Sequence, residues 1–314
     1  MPLCRARSSA RNHFLPRLEA LEDRYVPSTI TFNGVTSTLT VTGTAGKDAI
    51  VITDDGTNNA GAVRVSSNGH TLFTSGPVAG VNQVHTIQVN TQGGNGDSVR
   101  YTLTGDMVAN NRSISATFGG GKDDAFVANV NGNLINSFLL LQGNGGNGGD
   151  KLAGTVTGSL NGASFLGILF KGGTGKDRIS IDATNSVNIG PLAQLTVLAD
   201  GGAGDDVIDV NYEGQLQGAF FLNAAGSAGN DQVSARVTLD GLSNGLLFGP
   251  VSPNTGKAAA QVDGGGGKDK LLFEVDLSGA LKAASAAEID GGAGTDACRT
   301  VGFITGVFNC EKTF

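Results

Sequence analysis

The chain has 314 residues, 50 of them glycine and none tryptophan, with a formal net charge of −7. Glycine at this level is about twice its usual share and disfavours a helical bundle, while the 39% of apolar residues arrive in periodic runs that exclude a wholly disordered chain. The acidic balance does not favour nucleic acid, whose affinity comes from Lys and Arg on phosphates. No apolar stretch approaches the roughly 20 residues needed to cross a bilayer, so no transmembrane segment is expected.

Residues 1–28 run against the acidic trend, with Arg5, Arg7, Arg11, Arg17 and Arg24 against Glu19, Glu22 and Asp23. They lack the apolar centre of a secretory signal and read as a basic leader, disordered or a short helix. Leu15, Leu18 and Leu21 would share one helical face, with Pro27 as the stop. LEALEDRYVPS resembles the leader of many planctomycete exported and surface proteins.

Beyond the leader the chain reads as short strands between Gly, Asn and Ser corners. Residues 29–314 are expected to form one repeat body. It carries an extra hairpin near 56–85, AVRVSSNGHTLF, with Asn68-Gly69 at its turn, and an insertion near 241–256 marked by Pro250 and Pro253.

The organising feature is a repeat. GGAGDDVID fits the nonapeptide GGxGxDxUx, with U apolar, and related stretches place an aspartate at Asp48, Asp97, Asp123, Asp150, Asp177, Asp206, Asp231, Asp269 and Asp296. The gaps from Asp97 onward are 26, 27, 27, 29, 25, 38 and 27 residues. Between the marked corners each unit offers about three strands of about five residues, as in RISIDA, NSVNIG and QLTVLAD after Asp177. One unit cannot bury its apolar face alone, but stacked units form a continuous core. The expected fold is all-β, a parallel β-solenoid of about 27-residue coils with Gly/Asp-rich corners. Antiparallel hairpins stacked as propeller blades are the alternative.

GGAGDDVID, GGTGKDRIS and GGGGKDKLL resemble the haemolysin-type, or repeats-in-toxin, calcium-binding nonapeptide. The resemblance implies that the corner holds calcium through backbone carbonyls and the sixth-position aspartate. It also implies that the eighth residue, here Ile179, Ile208, Val233 or Leu271, points into the core. One nonapeptide per coil departs from the tandem arrangement of that family and suggests a wider, three-sided coil. In a parallel stack equivalent aspartates lie about 4.8 Å apart. Unit charges at about that distance repel by roughly 1 kcal/mol in water and about 3 kcal/mol at an effective dielectric of 20. A cation between rungs relieves this, and calcium suits because it takes six to eight oxygens in flexible geometry. Asp200, Asp263 and Asp290, each before a double glycine, are candidates for a second carboxylate, and Asp97, in a shortened corner, is expected to be the poorest site. Lys47, Lys122, Lys176 and Lys268 precede the aspartate and would weaken a site if they pointed inward. Against all this, Gly and Asp are also ordinary corner residues.

GTDACRTVGFITGVFNCE places Cys298 at the inward eighth position of the last motif and Cys310 twelve residues on. It resembles the ending of several extracellular proteins of this repeat type, which implies a disulfide clamping the last coil in an oxidising compartment; two buried thiols are the other reading. Cys4 has no evident partner. Asp54 with Asp55, or Asp123 with Asp124, has the composition of an acid–base pair for glycoside chemistry. Each is better explained as a turn, and His70 and His85 have no nucleophile context, so no enzyme is expected. The functional expectation is a secreted or cell-surface calcium-binding structural or adhesion protein, with cell-surface or matrix components as partners. The alternative is a metal-independent solenoid that binds a protein or glycan.

Overall fold

The computed structural model describes residues 28–57, 62–75, 83–185, 187–240, 243, 245–248, 260–277 and 286–314. Residues 1–27 of the expected leader, with Cys4, and most of the 241–256 insertion lie outside them. The described residues are strands and turns without a helix, so no helix among them is long and apolar enough to cross a membrane.

A single coil shows how the sequence makes the fold. After Asp150, the strand Lys151–Val156 alternates outward and inward, burying Leu152 and Val156. Gly158 turns the chain into the short strand Leu160–Asn161, which buries Leu160. The third strand, Phe165–Thr174, buries Leu166, Ile168 and Phe170 and runs directly into the glycine corner. The next coil repeats the path in register: Arg178 pairs with Lys151, and Gln194 with Phe165, both parallel. The period of two in each strand therefore becomes an inner apolar column and an outer polar one.

Stacked in this way, the coils form a 14-stranded sheet, a 12-stranded sheet and a narrow 3-stranded sheet. The narrow face continues beyond Leu160 through single bridges to Ile189 and Leu216. Among the described residues pairing is parallel except near the first coils, which corrects the propeller alternative. There Thr29–Asn33 pairs antiparallel with Thr38–Thr42, and Val63–Ser67 pairs antiparallel with both Ala49–Asp54 and His70–Thr74. The second hairpin turns at Asn68 and Gly69, with φ of 49° and 82°, as its Asn-Gly pair leads one to expect. Both hairpins lie at sheet edges, where a parallel stack would otherwise expose unpaired backbone.

The interior is filled by side chains from all three faces. In one layer Leu195, Val197, Ile208, Val210 and Tyr212 are at most 2% exposed. Each buried aliphatic side chain contributes about 1.5–3 kcal/mol relative to exposure. Within the 241–256 insertion, Leu246–Phe248 pairs with Ala219–Phe221, and Ala260–Asp263 then takes up the rest of the same neighbouring strand. The insertion thus interrupts one strand without shifting the register.

Candidate metal centre

The three glycines of a corner have separate physical causes. In GGAGDD, Gly202 has φ +99° and Gly204 φ +135°, and a Cβ on either would strike a carbonyl oxygen of the coil below, Gly173 or Gly175. Gly201 has an ordinary backbone, but a Cβ there would sit 2.5 Å from Asp206 Oδ2 and 2.8 Å from the carbonyl oxygen of Gly226 in the next coil. Its missing side chain makes room for the aspartate to fold inward. The equivalent positions Gly145, Gly172 and Gly264 have the same two neighbours, their own corner's Oδ2 and the next coil's glycine carbonyl. In the GSAGND corner Ser227 takes the position of Gly202 at φ 77°, and its hydroxyl donates to Asp200 Oδ1 at 2.7 Å.

The inward aspartates form a continuous ladder. Asp206 Oδ1 accepts the backbone N–H of Asp177 at 2.8 Å, while the Asp206 N–H donates to Asp231 Oδ1 at 2.7 Å. The same rung joins Asp48 to Asp97, Asp97 to Asp124, Asp124 to Asp150, Asp150 to Asp177, Asp231 to Asp269 and Asp269 to Asp296 at 2.7–3.0 Å. Both ends are closed by other residues. Ser28 Oγ donates to Asp48 Oδ1 at 3.0 Å, and Glu311 Oε2 accepts the last N–H, from Asp296, at 2.7 Å.

Eight of the nine expected positions belong to this ladder, and each ladder aspartate is at most 3% exposed. The exception is Asp123, which is exposed with φ 61°; Asp124 takes its place, 1% exposed. The strand parity carried that signal. Every other ladder aspartate lies two residues before an inward side chain, such as Ile208 after Asp206, and only Asp124 stands so to Phe126. Asp97 has the same two rungs as its neighbours, so the shortened corner does not interrupt the ladder. Ser28 and Glu311 were not anticipated, since nothing in the repeat marks its ends.

The candidate second carboxylates have other employment. Asp200 receives the Ser227 hydroxyl and lies 4.0 Å from Lys171 Nζ. Asp263 and Asp290 are register partners on adjacent strands, and each accepts the N–H two residues on, from Gly265 and Gly292, bracing the glycine turn. Burial, then the Asp290 charge, raises the Asp263 carboxyl above its usual range. Lys47, Lys122, Lys176 and Lys268 are all exposed, and Lys176 pairs with Asp205 at 3.0 Å, while the Lys47 charge favours ionised Asp97 without outweighing its burial. The hydrogen bond from Lys176, with those from Asn230, lowers Asp205 to about 2. Asp54 and Asp55 point to different surroundings: Asp54 is buried against Arg112 and Asp55 lies 3.9 Å from the surface Arg64. They do not form an acid–base pair.

What remains in the ladder is an uncompensated row of oxygens. Eight carboxylate oxygens, Oδ2 of Asp97, Asp124, Asp150, Asp177, Asp206, Asp231, Asp269 and Asp296, are buried with no hydrogen-bond partner. Desolvation is the main cause that pushes Asp150 up to about 7 and Asp206 and Asp269 up to about 6, against the rungs that favour the charged form. The same cause raises Asp97, Asp124, Asp177 and Asp231.

The donor set is all oxygen: at Gly145, Gly172, Gly201 and Gly264 a free carboxylate oxygen and a glycine carbonyl of the next coil lie together. That chemistry fits a hard cation with flexible coordination, and calcium better than magnesium, which demands a tight octahedron. Among the described residues no three His, Cys, Asp or Glu side chains converge on one point. Coordination by this corner would therefore draw mainly on carbonyls and water around single carboxylate contacts. At the end of the ladder Cys298 and Cys310 form a disulfide with Cα atoms 5.8 Å apart. No family model matches the chain, and no curated protein or solved structure matches it.

Proposed function

We propose that the chain is a secreted or cell-surface calcium-binding rod of the haemolysin-type repeat kind, acting as a structural or adhesion module. The observation that carries the reading is the column of eight buried Oδ2 atoms without a donor. A buried carboxylate oxygen left unpaired costs free energy, and a cation between coils would satisfy many of them in series where a proton satisfies them one at a time. Calcium would be held by the ladder aspartates, Asp124 among them, with glycine carbonyls such as that of Gly226. Binding would then be linked to folding, because the column exists only in the stacked chain. The Cys298–Cys310 disulfide supports an oxidising location.

A second reading, a metal-independent structural solenoid, is favoured by the Oδ1 rungs, which give each aspartate a purely structural task. Thermal unfolding at pH 8, with calcium and with a chelator, separates the two. Calcium binding predicts a higher melting temperature with calcium, and a smaller calcium response in Asp206→Asn. That variant keeps an acceptor for the Asp177 amide but loses the negative charge. Equal melting temperatures with and without the chelator would reject calcium and leave the metal-independent rod.

A further inference from the structure

The outer face of the 12-stranded sheet carries a groove whose charge is opposite to that of the molecule. Along one outward row the register runs Lys151, Arg178, Val207, Gln232 and Lys270. Two shorter side chains thus lie between long cationic ones. Arg178 and Lys270 stand three coils apart, about 14 Å, and the cavity between them has a volume of about 310 Å³. Phe314 closes one side, with Lys270 Nζ 4.7 Å from the centre of its ring. On the next outward row Asp209 and Ser234 are register partners in the floor. Arg236 lies 3.6 Å from both Asp209 Oδ1 and Glu274 Oε2, and Ser234 Oγ is buried beneath the floor with no hydrogen-bond partner.

Arg236 is shared between Asp209 and Glu274, but Arg178 and Lys270 have no carboxylate within 4.0 Å among the described residues, so the groove offers two uncompensated cations to an anion, on a chain whose net charge is −7. The kind of anion follows from the floor. Asp209 repels a ligand that is negative at every point, such as a phosphate backbone, yet accepts hydrogen bonds from hydroxyl groups. Phe314 and Leu272 add apolar surface. A ligand with separated acid groups, many hydroxyls and apolar ring faces meets all of these. We infer that this groove binds an acidic oligosaccharide, a uronate-containing glycan lying along the solenoid axis with its acid groups toward Arg178 and Lys270. Lys151, one coil beyond Arg178, extends the cationic row for a longer chain.

The site lies on the outer surface and uses none of the ladder aspartates, so it stands or falls independently of calcium. Its rival is that Arg178 and Lys270, each directly after a ladder aspartate, serve only to offset the buried charge. Titration calorimetry of the full chain with trigalacturonate, calcium held constant, decides between them. Binding that weakens with added salt, and by about tenfold or more in Arg178→Ala/Lys270→Ala, is expected. Ser234→Tyr, which fills the floor and leaves every charge in place, is expected to weaken it similarly. Maltotriose, the neutral comparison, should not bind, and Lys171→Ala on the 14-stranded sheet should change nothing. No binding of trigalacturonate, or equal binding by either groove variant, would overturn the inference. So would a sulfated trisaccharide that binds more tightly than trigalacturonate, since the site would then read charge alone.

Discussion

At the scale of single residues the corner depends on what is missing from it. Gly204 combines a φ of +135° with a carbonyl of the neighbouring coil where its Cβ would be. Gly204→Ala therefore meets a conformational penalty of about 1–3 kcal/mol together with a backbone collision that only separation of the coils relieves. Denaturant unfolding should show a loss of at least about 2 kcal/mol, in the upper part of the range for single substitutions; a loss below about 0.5 kcal/mol would mean that the coils are not in the contact described. A second buried charge lies apart from the ladder. Arg112, 2% exposed, donates to Asp54 from Nε at 2.7 Å and from Nη2 at 3.2 Å, and the Tyr101 hydroxyl donates to the same carboxylate at 2.9 Å. Arg112→Met leaves that carboxylate buried beside a phenol and should cost about 3–5 kcal/mol. Asp54→Asn keeps an acceptor for Tyr101, so the double variant Asp54→Asn/Arg112→Met should lose less than the sum of the single losses. Additive losses in that cycle would show that the pair is not coupled.

The coil and its corner are the features that sequence pattern reads well. A marked glycine corner every 27 or so residues, followed by alternating strands, leaves few ways to bury the apolar columns. Stacked coils are the one that uses every strand. Parity within a strand even separates Asp124 from Asp123. Contacts between faces are harder to see. Arg112 and Asp54 are 58 positions apart and approach from different sheets, so no local spacing couples them. The ends are invisible for another reason. A repeat predicts its own neighbours, whereas closing a stack needs residues that differ from it. Ser28 does so with a hydroxyl in place of the backbone N–H of a further coil, and Glu311 with the carboxylate that a further coil would have provided.

The last coil should accordingly be the weakest part of the rod once its clamp is removed. Solenoid stability is a sum of nearest-neighbour terms, so an end can open without the middle. The disulfide closes a short loop, and Cys310→Ser should remove about 3 kcal/mol of local stability. In hydrogen exchange the amides of Ala297–Gly302 should then exchange markedly faster, while those of Gln194–Ala203 remain as protected as before. Uniform acceleration along the whole chain would show instead that the rod opens as one unit.

Over the whole molecule the ladder makes stability a function of pH, and the sign discriminates between the two functional readings. Burial raises seven of the ladder carboxyls in the folded chain, Asp150 to about 7 and Asp206 and Asp269 to about 6, against about 3.9 when unfolded. The folded state therefore holds protons that the unfolded state has released. For such groups the stabilisation is complete below the unfolded value, at about pH 4, and is lost as pH rises through the folded values near 6 and 7. With a chelator present, the protein should melt at a higher temperature at pH 5 than at pH 8. Calcium should reverse the order, because it binds only the deprotonated column and takes over the compensation that protons gave. A chelated protein that is no less stable at pH 8 than at pH 5 would mean that the eight oxygens are compensated by something other than a proton or a cation. A pH trend that calcium leaves untouched would assign the column to protons alone, and the rod would then be structural.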